Sequence, residues 1–99
     1  MSRVELAPEV ADDFDRILDH LNRHEVTDTH DRIEAILQSL SVLKFNPLIG
    51  RPARSNLREL VIGRRSQGYV ALYRYLPEVD TVFVLAIRSQ REAGYRVDE

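Results

Sequence analysis

The sequence predicts a single α+β domain of order β-α-α-β-β-β, in which a helical hairpin packs on a small antiparallel sheet. Apolar residues recur at three- and four-residue steps through the first half of the chain, which indicates helices. Two later segments are rich in β-branched and aromatic residues, and short connectors join them, as in hairpins. The 99 residues can bury one core but not two, so we expect residues 1–99 to form one domain.

The chain should begin with a short strand and an acidic helix. Residues 2–6 alternate between polar and apolar, as a strand does. Pro8 suits the first turn of a helix over residues 8–23, because the N–H that proline lacks has no helical partner there. Arg16 is predicted on the outer face of this helix. The apolar stripe consists of Val10, Phe14, Ile17, Leu18 and Leu21.

A second helix should follow and pack beside the first. Thr27 or Asp28 can cap its start, and it should end near residue 45, before Pro47 and Gly50. The short gap between the helices predicts an antiparallel pair. The second stripe consists of Ile33, Ile36, Leu37, Leu40 and Leu43.

The second half should form the sheet. Residues 46–56 contain two prolines and a glycine and are predicted as a loop. Strands are predicted over 57–63, 69–76 and 81–88, and their short connectors favour an antiparallel meander. The polar tail beyond residue 88 could add a short strand or stay loose.

Alternation along these strands divides their side chains between two faces, both fairly apolar. One set is Leu60, Ile62, Val70, Leu72, Val82, Val84 and Ala86, and the other is Val61, Tyr69, Ala71, Tyr73, Tyr75, Phe83, Leu85 and Ile87. One face must meet the helices, and the other needs a cover. The same parity places Arg58, Arg74 and Arg88 with the first set, near strand ends, as a recognition surface. Alternatively, these arginines close the rim of the core and pair with Glu59, Glu78 or Asp80.

Composition excludes several classes of function. The chain has no cysteine, which excludes disulfides, cysteine zinc sites and thiol catalysis. The sequence has neither a membrane-length apolar run nor a secretory signal, so we expect a cytoplasmic protein without a membrane partner. The net charge of -2 combines five basic and ten acidic residues in 1–50 with nine basic and six acidic residues in 51–99. All but one of the basic residues are arginines, which suit recognition of carboxylates and phosphates. A GC-rich genome would also favour arginine over lysine.

Several segments in order resemble the ParE-type toxins of the RelE/ParE superfamily. They are Pro8 at the head of an acidic helix, NPLIGRP at 46–52, LRELVIG at 57–63, YVALYRY at 69–75 and VFVLAIRSQREAGY at 82–95. The resemblance spans nearly the whole chain. Its most specific parts are GRP followed by LRELVIG, and the arginine-bearing last strand that runs into QREAGY.

This resemblance implies the toxin of a type II toxin–antitoxin system. RelE-like members are ribosome-dependent nucleases that cut mRNA, whereas ParE-like members inhibit DNA gyrase. A cognate antitoxin would cover the toxin with an extended segment, in a heterodimer or a heterotetramer. The leading hypothesis is a ParE-like gyrase inhibitor, with no cofactor. The alternatives are a RelE-like endoribonuclease and a non-toxic interaction module of the same fold.

A nuclease of this type needs groups that move protons and stabilise a charged phosphorane. The resemblance offers Arg58, Arg74, Arg88 and Tyr95 for this role, and Ser89 stands where many relatives carry a histidine. The set is incomplete, and the overall charge is acidic, whereas RNA binding favours a basic surface. We therefore expect no catalytic residues and no direct nucleic-acid binding.

Other residues could contact a target or a ligand. The candidates for target binding are Arg58, Arg64, Arg65, Arg74, Arg88, Arg91 and Tyr95. His20 and His24 have the spacing of metal ligands, although two partly exposed histidines are the favoured interpretation, and we predict no metal site. The tyrosines at 69, 73 and 75 could stack on bases, but a packed sheet face is the favoured interpretation.

Overall fold

The computed structural model describes residues 1–24, 28–63 and 68–91. Two helices and five strands follow one another as β1 (Arg3–Leu6), α1 (Pro8–Arg23), α2 (Thr29–Ser41), β2 (Arg51–Pro52), β3 (Arg58–Ile62), β4 (Tyr69–Leu76) and β5 (Thr81–Ser89). The predicted α+β class is confirmed. The second helix ends a few residues earlier than predicted, because the chain tightens into a 3-10 turn at Val42–Lys44.

The five strands form one sheet of order β1-β5-β4-β3-β2. The predicted meander of β3, β4 and β5 is confirmed as antiparallel. β1 pairs with β5 in parallel, so the sheet is mostly rather than wholly antiparallel. The loop prediction for 46–56 missed β2, whose two residues pair with Glu59 and Arg58 of β3. Pro52 cannot donate a backbone hydrogen bond, which fits a short strand at the sheet edge.

The predicted division of side chains between the two sheet faces was partly wrong. Ile62 and Tyr69 were predicted on opposite faces, but they pair directly between β3 and β4 and therefore share one face. Between β4 and β5 the register shifts by one residue, because Leu72 pairs with Ala86 whereas Tyr73 pairs with Val84. Such a bulge reverses the alternation beyond it. Parity along each strand is local, whereas the register between strands is set by turns and bulges.

The core lies between the two helices and one face of the sheet. Six of the ten predicted stripe residues are buried: Val10, Ile17, Leu21, Ile36, Leu40 and Leu43. The sheet contributes Ile62, Tyr69, Ala71, Tyr73, Val82, Val84 and Ile87. Leu37 was predicted in the stripe but is 45% exposed. The backbone N–H of Ala7 donates to the Val84 carbonyl at 2.8 Å, which fixes the start of α1 against β5.

The opposite sheet face carries a second apolar surface, as predicted, although with a different membership. Pairing places Val61, Val70, Leu72, Phe83 and Ala86 there. Val70 and Ala86 are buried, whereas Val61 at the sheet edge is exposed. Over the described ranges, neither helix offers the apolar length that crossing a bilayer requires.

Candidate functional site

The three arginines predicted to share a sheet face lie on two faces. Arg58 is opposite Tyr73, on the face that packs against the helices. Arg74 is opposite Phe83 and Arg88 is opposite Val70, on the other face. The prediction of one surface with three arginines was therefore wrong. It failed because a residue keeps its parity along its own strand but not across a hairpin.

Arg58 fastens the loop that precedes β2. Its Nη1 donates to the carbonyl oxygens of Gly50 at 2.8 Å and Leu48 at 3.1 Å. Beside it, the Gly50 N–H donates to the hydroxyl oxygen of the buried Tyr73 at 2.8 Å. Burial raises the pKa of Tyr73, and the Gly50 hydrogen bond and the charge of Arg58 partly offset that rise. Arg58 thus has a structural task at the corner where the loop joins β3 and β4.

Arg74 and Arg88 occupy different environments on the opposite face. Arg74 is exposed and could contact a partner directly. Arg88 is half-buried, and its Nη1 donates to the carbonyl oxygen of Ser89 at 3.2 Å. Two of the three carboxylates proposed as alternative partners contact other residues: Glu59 pairs with Arg51 at 3.1 Å, and Asp80 accepts hydrogen bonds from two hydroxyls.

A buried ionic network joins α1 to the end of β5, and sequence reasoning missed it. Asp13 is 1% exposed and accepts from the Ile87 N–H at 2.9 Å and from Arg16 Nη1 at 2.7 Å. Arg16 also donates to the Ile87 carbonyl oxygen at 3.1 Å. The prediction that Arg16 lies on the outer face was therefore wrong. Asp13 stands three residues after Val10 and four before Ile17, so its position on the apolar stripe was the available signal.

This network borders a groove of 390 Å³ between α1 and the end of β5. Arg16, Arg23 and Arg91 line it together with His20, Asp19 and Ser89. The groove therefore brings one predicted target-binding residue, Arg91, close to two arginines that were not singled out. Arg64, Arg65 and Tyr95 lie outside the described residues.

The histidine and tyrosine predictions have different outcomes. The rings of His20 and His24 contact each other, with centroids 4.4 Å apart. Among the described residues, no group of three or more metal-ligating side chains comes together. Tyr69 and Tyr73 are buried in the core, so the packed-face interpretation is confirmed for them and they offer no stacking surface for bases.

A cluster of three side chains joins the start of β1 to the turn between β4 and β5. The Ser2 hydroxyl donates to Asp80 Oδ1 at 2.5 Å, and the Tyr75 hydroxyl donates to the same oxygen at 2.8 Å. These hydrogen bonds hold the pKa of Asp80 below its ordinary value of 3.8, against the opposing effect of desolvation. The same hydrogen bond to Asp80 is the main cause that raises the pKa of Tyr75.

We expect Asp80→Asn to lower the free energy of unfolding where the Asp80 carboxylate is ionised, and to lower it less in acid. Because the folded-state pKa is lowered, this contribution is complete above pH 3.8 and is lost as the pH falls through the folded value. Denaturant unfolding of the variant and of the unaltered chain, at several values between about pH 2 and pH 6, measures the difference in free energy of unfolding. Asparagine tolerates the left-handed backbone at position 80, so the change isolates the charge. A difference that stays constant with pH would contradict the assignment, and Asp15→Asn on the exposed side of α1 is the control.

A family model and one solved structure agree with this architecture. The family model described as the ParE toxin of the type II toxin–antitoxin system, parDE, matches residues 4–94. No curated protein sequence matches the chain. The fold is similar to a structure of the chromosomal ParDE toxin–antitoxin system from P. aeruginosa, with a TM-score of 0.72 and 21% identity over 90% of this chain and 96% of that chain. A mutant of the E. coli toxin RelE in the free state aligns with a TM-score of 0.44 and 15% identity over 93% of this chain and 86% of that chain.

Proposed function

The chain belongs to the ParE toxin family of type II toxin–antitoxin systems, and from this membership we propose that it arrests growth by binding DNA gyrase. A cognate antitoxin neutralises it by covering the surface that the target would contact. The assembly is a heterodimer or a heterotetramer of toxin and antitoxin. The activity rests on protein–protein contact and uses no cofactor.

The observation that carries this proposal is the division of the arginines between two faces. A nuclease of this fold would need Arg58, Arg74 and Arg88 to converge on one phosphate, because the charge that develops in cleavage is localised there. Instead, Arg58 donates to two carbonyl oxygens of its own loop, and the other two arginines lie on the opposite side of the sheet. Inhibition by contact needs no such convergence. It needs exposed groups such as Arg74 and a groove such as the one that contains Arg91.

We expect induction of the chain alone to stop DNA synthesis before protein synthesis. Pulse labelling of both processes in the minutes after induction makes the measurement. Co-expression of the cognate antitoxin is the control and should restore DNA synthesis. Purified protein should then inhibit supercoiling of relaxed plasmid by gyrase.

Two other outcomes would contradict the gyrase proposal. If protein synthesis collapses first and ribosome-bound mRNA is cut, the chain acts as an endoribonuclease despite the arrangement of its arginines. If neither process changes although the folded protein accumulates, the chain is a non-toxic interaction module of the same fold.

A further inference from the structure

One segment of the chain concentrates positive charge. Residues 42–58, here called the basic loop, contain four basic residues and no acidic residue. The remaining 82 residues contain ten basic residues and sixteen acidic ones. A protein that is acidic overall therefore presents one basic segment, which favours an acidic partner at that place.

The basic loop also exposes large apolar side chains. Phe45 is 70% exposed, Leu48 is 57% exposed and Ile49 is 56% exposed, and Val42 adds to the same segment. Single exposed apolar residues are common on protein surfaces, but four within eight positions form a group that suits contact with another protein. Nucleic acid could stack on Phe45 but would leave the aliphatic Val42, Leu48 and Ile49 without an apolar counterpart.

Internal hydrogen bonds hold this segment in one conformation. The N–H groups of Phe45 and Asn46 donate to the Val42 carbonyl oxygen, each at 3.1 Å, and the Ile49 N–H donates to the Asn46 carbonyl oxygen at 3.1 Å. Arg58 fastens the far side through the carbonyl oxygens of Leu48 and Gly50. A surface that is already ordered loses less entropy when a partner binds.

The loop borders a groove that could receive part of a partner. Its volume is 410 Å³, and its lining includes Leu48, Leu57, Arg58, Tyr75 and Pro77. The lining is mainly apolar, with the Arg58 guanidinium as its charged group. This combination fits a bulky apolar side chain next to a carboxylate.

The other three cations of the basic loop are Lys44, Arg51 and Arg54, and Arg54 follows directly after Pro52 and Ala53, which line the groove. Lys44 and Arg54 are exposed, and neither forms an ion pair with another residue in the described parts of the chain. Arg51 already pairs with Glu59 at 3.1 Å, so it contributes less to an incoming partner. Lys44 and Arg54 are therefore the cations that an acidic segment would neutralise.

We propose that the basic loop docks an acidic segment of the cognate antitoxin that carries bulky apolar side chains. This inference rests on the proposed function, because that function supplies the antitoxin as a polypeptide partner. An apolar side chain of the segment enters the groove beside Leu48, and its carboxylates meet Lys44 and Arg54. Both kinds of contact are needed for full affinity.

Binding of fluorescently labelled antitoxin to the purified chain tests the proposal. Arg54→Glu and Leu48→Ser should each raise the Kd by about tenfold or more, a change that corresponds to about 1.4 kcal/mol. Two controls, Arg32→Glu near the start of α2 and Leu37→Ser later in the same helix, change an arginine and an exposed leucine outside the basic loop and should leave the Kd within about threefold. Higher salt should weaken binding of the unaltered chain more than binding of Arg54→Glu.

The possible failures are distinguishable. If the unaltered chain binds antitoxin and both loop variants bind it as the controls do, the docking surface is wrong while the proposed function stands. If the unaltered chain does not bind antitoxin, the proposed partnership itself fails. If Arg54→Glu leaves antitoxin binding intact but abolishes binding of a labelled RNA or DNA oligonucleotide, the loop is a nucleic-acid surface and the inference is overturned. Denaturant unfolding of each variant confirms that it is folded.

Discussion

Asp13→Ala should lower the free energy of unfolding by about 3 kcal/mol, because it removes one partner from a buried ionic network. The carboxylate accepts hydrogen bonds from the Ile87 N–H and from Arg16, and it is 1% exposed. Without it, the Ile87 N–H is buried without an acceptor, and the half-buried Arg16 loses its carboxylate partner on α1 while it still donates to the Ile87 carbonyl oxygen. In a domain of this size the loss should lower the Tm by more than about 10 °C.

Urea unfolding of Asp13→Ala against the unaltered chain measures this effect. Asp15→Ala is a matched control, since it removes the same group from an exposed position on the same helix, and its effect should stay within about 0.5 kcal/mol. The double variant Asp13→Ala with Arg16→Met should recover part of the loss, because it no longer leaves a cation without its buried partner. A loss below about 1 kcal/mol for Asp13→Ala would mean that the network contributes little to stability.

The effect should extend to the toxin's activity. The network fixes β5 at Ile87, one residue before Arg88 and at the border of the groove that contains Arg91. Loss of the Asp13 contact therefore loosens the framework of a candidate target surface as well as the core. In the supercoiling assay of the proposed function, inhibition by Asp13→Ala should therefore fall more steeply with rising temperature than inhibition by Asp15→Ala.

The elements that the sequence predicted well are those with a local cause. Apolar spacing placed α1, because the side chains of one helix face repeat every three or four residues. The limits of β4 agree with the prediction because Gly68 precedes it and Pro77 follows it. Neither inference needed knowledge of another part of the chain.

The features that sequence reasoning missed depend on contacts between distant segments. The placement of Arg58 depends on the β3–β4 register, and the bulge between Leu72 and Tyr73 changes the partner of every later residue in β5. Parity and periodicity describe one strand or helix at a time, so they cannot supply these relations.

In the candidate site, too, some residues could be predicted from the sequence and others depend on contacts between distant segments. Arg91 was singled out on the resemblance, and the fold places it in a groove with Arg16 and Arg23. These two were not singled out, because on a helix they look like ordinary solvated arginines. The signal for Arg16 was indirect: it stands three residues after Asp13, an acid on an apolar stripe, and such an acid needs a nearby cation or donor when it is buried.

Gly50→Ala should also destabilise the chain strongly, by about 3 kcal/mol, because there is no room for a methyl group at this position. A Cβ there would lie 2.6 Å from the Tyr73 ring and hydroxyl and 2.8 Å from the Glu59 carbonyl oxygen. Tyr73 is fully buried and Glu59 belongs to the paired strand β3, so neither can yield without disturbing the core or the sheet. Displacement of Gly50 would also break its N–H hydrogen bond to Tyr73.

A second substitution separates crowding from the lost hydrogen bond. Tyr73→Phe alone should cost about 1–3 kcal/mol, because it leaves the buried Gly50 N–H without an acceptor. In Gly50→Ala with Tyr73→Phe the hydroxyl no longer crowds the methyl group, but the ring and the Glu59 oxygen still do, so the combined loss should be smaller than the sum of the two single losses. Denaturant unfolding of the three variants measures this coupling, with Asn46→Ala on the exposed part of the same loop as the control. Strict additivity would contradict this account, because it would mean that the methyl group neither clashes with the Tyr73 hydroxyl nor breaks its hydrogen bond to the Gly50 N–H.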